Sequence, residues 1–205
     1  MVIQKFPDIR RVFKNDLKDM LERYKSGEID IRNYWKVGDV LEYDSQKYVI
    51  IGIGHDKVYD TKEREKRTVT IMRTDLINFE TSLKSIKGDY STKEFDESEL
   101  RKQLEFYPDY FVGELFSDLA LIVKPKIDMD KTCRTFLLSS YEIFEEKYRY
   151  EYFIDKKNRQ LGNEFWTRSN LHMPHFVYFE TCKSDGTEGK AFNTDVKGIV
   201  PCFVI

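Results

Sequence analysis

Trp166 and Arg168 are the pair of side chains in this sequence with the clearest capacity for chemistry, because they stand two residues apart in a W-T-R-S segment. An exposed tryptophan can stack on a sugar or a base, while an arginine binds a carboxylate or phosphate. The same pair can instead lie in the core, with the arginine bridging a carboxylate such as Glu142 or Asp195. The sequence leaves both interpretations open.

Histidines are the next candidates, because imidazole can bind metals and move protons. His172 and His175 stand close together, and with Cys182 or Asp185 they could bind a metal. Pro174 between them breaks helical spacing, and no complete ligand set has recognisable spacing, so we predict no metal site.

His55 and Asp56, adjacent at the end of a predicted strand, could be an acid–base couple. We favour a structural role instead, in which Asp56 anchors a turn.

No segment has the glycine, lysine, serine or histidine spacing of a phosphate-binding loop, a dinucleotide fingerprint, a zinc protease or a serine hydrolase. We therefore name no catalytic residue, predict no cofactor and favour a non-enzymatic function. Two stretches rich in polar and aromatic groups, 169–175 and 183–195, are the predicted ligand-binding loops. The candidate ligand-binding residues are Trp166, Arg168, Asn170, His172, His175, Asp185 and Asp195.

The composition is that of a folded chain without a strongly charged surface. Among 205 residues, 15% are aromatic, which argues against disorder, and 34 basic residues face 36 acidic ones. The formal net charge of −2 disfavours a nucleic-acid binder. Three cysteines without a C-x-x-C pair predict reduced, buried thiols. No apolar run long enough for a signal peptide or a membrane span occurs. We therefore expect a protein that is cytoplasmic as synthesised, and virion-associated if a prophage encodes it.

The amino-terminal part combines a helical pattern with a hairpin pattern. Apolar residues at helical spacing predict an amphipathic helix over 9–24, with Asp8 as its N-cap and Gly27 at its end. This helix can pack on its own domain, which we favour, or on a partner chain. The segments 40–43 and 47–54 flank a polar turn and predict a β-hairpin. The second of them is almost wholly apolar, which predicts a strand covered on both faces.

Further along the chain, two segments have capping-box spacing and predict helix starts, Asp96 to Glu99 and Ser139 to Glu142. Another short helix is predicted near Pro108. Further strands are predicted at 67–72, 119–123, 135–138, 148–152, 165–167, 176–182 and 199–205, with a turn at 184–187 and an edge or bulged position for Pro201. The pattern predicts an α+β fold, a mixed or antiparallel sheet with several short helices. We divide the chain into a helix and connector over 1–33 and one domain over 34–205.

From Trp35 to the last residue, motifs in constant order resemble those of one domain family of unknown function, which occurs in Gram-positive bacteria and their prophages. The matching segments are Y-W-K-V-G-D at 34–39, I-G-I-G-H-D at 51–56, S-E-L-R-K-Q-L at 98–104, F-L-L-S-S-Y-E-I-F at 136–144, W-T-R-S at 166–169 and G-I-V-P-C-F-V-I at 198–205. Members of this family often form part of tail-associated or cell-surface proteins.

The last third also resembles, more distantly, the C-type-lectin-like fold of formylglycine-generating enzymes and phage receptor-binding proteins. That resemblance implies long loops that present a ligand surface. The calcium motifs of sugar-binding lectins and the paired active cysteines of the enzymes are absent from the sequence, so neither chemistry is carried over. The expected function is a non-enzymatic binding module, bacterial or prophage-encoded, that recognises a glycan or a protein partner. The alternatives are an assembly protein that docks through its first helix, or an enzyme of unknown chemistry.

Overall fold

The chain folds into two β-sheets with short helices packed against them. The computed structural model describes residues 9–10, 14–58, 68–78, 95–125, 131–172 and 177–205. Within them the strands are β1 (Ile9–Arg10), β2 (Val40–Tyr43), β3 (Gln46–Ile53), β4 (Val69–Arg73), β5 (Ile77–Asn78), β6 (Thr135–Phe136), β7 (Phe165–His172), β8 (Val177–Cys182), β9 (Glu188–Phe192), β10 (Gly198–Ile199) and β11 (Cys202–Val204). The α-helices are α1 (Lys14–Lys25), α2 (Glu99–Phe106), α3 (Pro108–Val112), α4 (Glu114–Leu119) and α5 (Ser140–Phe144), and 3-10 turns cover Ile31–Asn33, Phe95–Glu97, Glu151–Ile154 and Lys156–Arg159.

Both sheets are mixed. The first has the strand order β1-β2-β3-β4-β11-β6, and its β1–β2 pair is parallel. The second has the order β5-β10-β7-β8-β9, and its β10–β7 pair is parallel. The predicted α+β class with a mixed sheet and short helices is confirmed. None of the helices in the described ranges is long and apolar enough to span a bilayer.

The predicted hairpin forms as β2–β3, with a turn one residue shorter than predicted, because Gln46 already pairs with Tyr43. Asp44 and Ser45 form its two-residue turn with φ of 50° and 62°, the left-handed conformations that match the twist of a hairpin. Along β3, Tyr48 and Ile50 belong to one buried apolar cluster, whereas Val49 and Ile51 belong to another on the opposite face. Because successive side chains of a strand point to opposite faces, β3 is covered on both sides, as its apolar run predicted.

Helix α1 is shorter than predicted. Ile9 lies in β1, paired with β2, so hydrogen bonding in the sheet overrides the helical pattern at that end, and Asp8 lies outside the described residues. The predicted end at Gly27 is correct. This glycine has a φ of 79°, and its N–H donates to the carbonyl of Tyr24. The apolar side of α1 packs against the core of its own chain, because Leu17 and Leu21 are buried in the first apolar cluster.

Of the two predicted capping boxes, one is confirmed and one is displaced. Helix α5 has the full arrangement, with Ser139 as N-cap and Glu142 reaching back to the Ser139 N–H. Helix α2 is instead capped by Ser98, whose side chain accepts from the Arg101 N–H. The predicted cap, Asp96, lies in a 3-10 turn that moves the helix start along the chain.

Three further predictions are corrected. Residues 120–123 follow α4 without forming a strand, apart from an isolated bridge at Val123. Residues 148–152 form the end of a turn and the start of a 3-10 turn, because the N–H groups of 148 and 149 donate locally to the carbonyl of Glu145 and not to a neighbouring strand. Pro201 lies between β10 and β11, which belong to different sheets. The proline therefore stands where the chain crosses between the sheets, and its missing N–H removes no ladder bond there.

Candidate functional site

Arg168 and Glu142 form a buried ion pair between β7 and α5. The arginine donates from Nη1 to Glu142 Oε2 at 2.9 Å and from Nη2 to Oε1 at 2.5 Å, and both side chains are almost fully buried. Nη1 also donates to the carbonyl oxygen of Leu137. Burial alone would lower the pKa of Arg168, but the carboxylate of Glu142 outweighs it and raises that pKa. The pair is held in the two-bond geometry that favours arginine over lysine.

An irregularity in the backbone of β7 directs the Arg168 side chain towards Glu142. The register between β7 and β8 shifts between Trp166 and Asn170, and the Arg168 N–H donates to Leu138 O at 2.9 Å instead of to β8. An irregularity of this kind redirects a side chain within a strand. Trp166 lies inside the core, 1% exposed, with its ring edge-on to Phe179 at 6.2 Å. We call Trp166, Arg168 and Glu142 the buried centre.

A second buried polar group lies around Asp56. Its carboxylate accepts from Tyr150 Oη at 2.8 Å and from the hydroxyl of Thr70, and its carbonyl accepts from Thr68 Oγ1 at 3.0 Å. The His55 ring stacks on Tyr150 with centroids 3.9 Å apart. Burial, and then the negative charge of Asp56, raise the pKa of Tyr150, so its phenol stays protonated and donates. Asp56 thus anchors the segment that follows β3, which is the arrangement the sequence favoured.

The cysteines are free, buried thiols. Burial raises the pKa of Cys133 and that of Cys182 to about 12, and raises the pKa of Cys202 well above its usual value. Since the thiolate is the reactive form, none of the three is placed as a nucleophile. Among the described residues no group of three or more His, Cys, Asp or Glu side chains could hold a metal ion.

The predicted ligand-binding residues do not form one surface. Trp166 and Arg168 belong to the buried centre, which is the second of the two arrangements that the sequence left open. Asp185 is exposed in the β8–β9 turn, where it accepts from Thr187 N–H at 2.9 Å and from its hydroxyl, and these bonds lower the pKa of Asp185. Asp195 is half-buried and accepts from Phe192 N–H at 3.1 Å.

The two aspartates therefore shape turns at opposite ends of the β8–β9 hairpin. The intervening strand β9 has five residues, a length of about 17 Å at about 3.4 Å per residue. Asn170 is half-buried in β7. His172 lies at the end of β7, with its side chain outside the description, and His175 lies outside the described residues. No small ligand could contact Asp185 and Asp195 together.

The open end of this hairpin has a different set of side chains. Tyr178 of β8 and Phe192 of β9 are directly opposite in register, with ring centroids 4.5 Å apart and planes tilted by 34°. Glu180 and Lys190 form the next pair along. Residues two apart on a strand share a face, and so do directly opposite residues, so all four lie on one face of the second sheet. We call them the aromatic platform.

Solvent reaches the aromatic platform. Phe192 is 42% exposed, Lys190 is exposed, and Tyr178 and Glu180 are half-buried. The β9 strand lies at the edge of the sheet. Glu180 is held in place, because its carboxylate accepts from the hydroxyl of Ser140 at the start of α5. Two rings and two opposite charges thus share one accessible face.

Tyr178 and Phe192 were missed as site residues in the sequence. The signal was the predicted turn at 184–187, because the centre of a hairpin turn fixes which residues of the two strands stand opposite each other. Counting outward from that turn brings Tyr178 close to Phe192. What the count does not give is which face of the strands is covered, and that depends on α5 and the rest of the fold.

No protein-family model, no curated protein and no solved structure matches this chain at a significant level. The family resemblance set out above stays a prediction from its motifs.

Proposed function

We propose that this chain is a recognition module that binds a glycan through the aromatic platform. The observation behind the proposal is the stacked, accessible pair of Tyr178 and Phe192 beside the charged pair of Glu180 and Lys190 on one sheet face. Sugars present apolar C–H faces that pack on aromatic rings, and hydroxyl groups that bond to carboxylates and amines. The platform has both kinds of partner within one hairpin end.

The buried centre has a supporting role in this proposal. Arg168 and Glu142 join β7 to α5, and Ser140 of α5 donates to Glu180. The charged edge of the platform is thereby connected through α5 to the buried ion pair. A binding surface whose side chains are fixed before the ligand arrives loses less conformational entropy on binding.

We further propose that the chain belongs to the bacterial and prophage family whose motifs it resembles, and that its last third is lectin-like. The support for the family is the order of the motifs from Trp35 to Ile205, and the support for the lectin-like part is the carboxyl-terminal pattern alone. A cell-surface or tail-associated family would suit a glycan-binding role. The docking alternative through α1 has less support, because the described apolar residues Leu17 and Leu21 are buried in the core.

The test is a binding screen of the purified chain against bacterial cell-wall and capsular polysaccharides. Saturable binding is expected, and Phe192→Ala is expected to weaken it at least about fivefold, the effect of about 1 kcal/mol. The matched control is Phe106→Ala, which removes an exposed ring from helix α2 on a different element. Each variant is checked for cooperative thermal unfolding.

Equal loss of binding in the two variants would contradict the platform as the site, and so would binding that survives Phe192→Ala unchanged. A chelator is expected to leave binding intact, because the described residues hold no metal-binding group. Failure to bind any glycan would overturn the glycan class.

A further inference from the structure

The junction of α2 and α3 exposes three large aromatic rings within five residues. Phe106 ends α2, Tyr107 links the two helices, and Tyr110 lies in the first turn of α3. Their exposed fractions are 70%, 65% and 57%, the highest among the large aromatic residues of the described chain. We call these three residues the aromatic patch.

The aromatic patch is large for a surface that meets only water. A phenylalanine or tyrosine has about 200 Å² of surface, so the three together expose about 400 Å². Patches of this size on a monomer are commonly binding sites. Core packing does not require these rings, because the core contacts of the two helices come from other residues, Leu100, Leu104, Phe111 and Val112.

The helices around the aromatic patch are acidic. From Phe95 to Leu119 the chain has seven acidic and two basic residues, although the whole chain is nearly balanced. One of the two basic residues, Arg101, is 2% exposed, and its guanidinium donates to Glu105 at 3.1 Å. Lys102 is exposed, and the guanidinium of Arg73 on β4 donates to the carbonyl of Phe111 at 3.0 Å and to that of Tyr110 at 3.4 Å. Acidic residues still outnumber these basic ones, so this layer has a net negative charge, and Glu105 and Asp109 flank the rings directly in sequence.

A cleft beside α4 also combines apolar with acidic groups. It has a volume of about 340 Å³ and lies between α1 and α4, and α4 begins two residues after α3 ends. Apolar groups line it with charged ones, namely Tyr43, Leu115 and Leu119 with Lys18, Glu22, Glu114 and Asp118. Lys18 pairs with Glu22 at 4.0 Å, so Glu114 and Asp118 give the cleft a net negative charge. A lysine or arginine side chain suits such a cleft, because its apolar stem can pack on the apolar groups while its cationic end faces the carboxylates.

We propose that the aromatic patch is a docking surface for a basic, apolar segment of another protein. The apolar side chains of that segment would cover the three rings, and its lysines or arginines would face the acidic layer and the α1–α4 cleft. Arginine and lysine also pack favourably over exposed tyrosine and phenylalanine rings. This surface is separate from the aromatic platform, so either proposal can fail without the other.

Charge excludes three other occupants. A second copy of this chain would bring an equally acidic layer against the first, and like charges that face each other across an interface repel. Nucleic acid and anionic lipid surfaces carry the same sign as the layer and are repelled. A cationic protein segment is the class that the charge and the rings select together.

The experiment uses two short amphipathic peptides as probes, one of lysine and leucine and one of glutamate and leucine in the same pattern. The full chain is titrated into each labelled peptide, and fluorescence anisotropy is recorded. We expect the lysine peptide to bind saturably and the glutamate peptide not to bind. Salt at about 1 M should weaken the binding, because the Debye length then falls to about 3 Å and the charges are screened from one another. The double variant Phe106→Ser/Tyr110→Ser is expected to bind at least about tenfold more weakly.

The control is Phe192→Ser, which removes an exposed ring from the aromatic platform and is expected to leave peptide binding unchanged. Cooperative unfolding of each variant shows that it is folded. Equal binding of the two peptides, equal loss in the patch and control variants, or no binding of the lysine peptide would each overturn the proposal. Self-association or vesicle binding that disappears in the patch variant would overturn it in favour of a second copy or a membrane.

Discussion

The buried centre, between β7 and α5, and the aromatic platform, on β8 and β9, use the same kinds of side chain, yet their surroundings are opposite. Trp166 packs on Phe179 in the core, whereas Phe192 packs on Tyr178 at the surface. Each region also contains opposite charges, which form a buried ion pair in the first and lie opposite each other on neighbouring strands in the second. Residue type alone therefore does not separate structural from ligand-binding roles in this protein.

Solvent access separates them, through the energetics of charge. A buried ion pair loses its hydration, so it is kept only when every charged atom has a partner, and removal of one partner is costly. An exposed charge such as that of Lys190 keeps its hydration, so it can turn to a ligand at little cost. The W-T-R-S segment is a fixed part of the architecture, and recognition is left to less conspicuous residues of the neighbouring strands.

The largest effect is expected from Arg168→Met. The substitution leaves Glu142 buried without its cation, and we expect the free energy of unfolding to fall by about 3–5 kcal/mol. Urea denaturation followed by far-ultraviolet circular dichroism measures the change. Arg168→Lys keeps a charge but loses the two-bond geometry, so its loss should be smaller.

The double variant Arg168→Met/Glu142→Gln separates two contributions to the lost stability, namely the lost ion-pair attraction and the cost of a buried carboxylate without a cation. We expect it to recover part of the stability that Arg168→Met loses, because no unpaired charge remains buried. Equal stability of Arg168→Met and the unmodified chain would show that the centre is not a structural lock. Burial would then not distinguish the structural role of the buried centre from the binding role proposed for the aromatic platform.

Thiol reactivity gives the next largest effect. Burial raises the pKa of Cys133 and Cys182 to about 12 from a usual value of 9.0, so their thiolate fraction near pH 8 falls about a thousandfold. We expect all three cysteines to react with Ellman's reagent only after denaturation. By linkage, these thiols lower the stability as pH rises from about 9 to 12, because the unfolded chain then binds fewer protons. Rapid reaction of one native thiol would contradict the burial of that site.

The sequence predicted those features that depend on neighbouring residues. The β2–β3 hairpin, the capping box of α5 and the end of α1 at Gly27 all follow from local spacing. Each is confirmed because the groups that stabilise it lie within a few residues of one another.

Features that depend on distant contacts were not predictable in the same way. Ile9 has a helical pattern but pairs with β2, thirty-one positions along the chain at Val40. Tyr150 lies in an alternating pattern, yet it turns inward to donate to Asp56. The exposure of Phe192 depends on which face of the second sheet is left open. In each case the deciding partner comes from another part of the fold, so spacing alone gave no signal.

A smaller effect is expected from Ser139→Ala, at the border of the buried centre. The variant removes the hydroxyl that caps α5 but leaves the Ser139 N–H to donate to Glu142. Loss of such a cap costs about 1 kcal/mol. Urea denaturation measures it, and Ser98→Ala, which removes the equivalent cap of α2, is the matched control. A loss as large as that of Arg168→Met would mean that the hydroxyl positions the ion pair as well as the helix.

The smallest effect on stability is expected from Phe192→Ala, and Trp166→Ala is the buried counterpart with which it is compared. Phe192 is 42% exposed and Trp166 is 1% exposed. Truncation of a buried tryptophan costs about 3–5 kcal/mol, whereas a surface substitution changes stability by about 0.5 kcal/mol. Urea denaturation of Phe192→Ala and Trp166→Ala measures both in one series. If Phe192→Ala lost as much stability as Trp166→Ala, its ring would be a core element, and any accompanying loss of glycan binding would reflect unfolding. A stable Phe192→Ala variant that no longer binds glycan would assign the ring to recognition, because its stability would show that the fold does not need it.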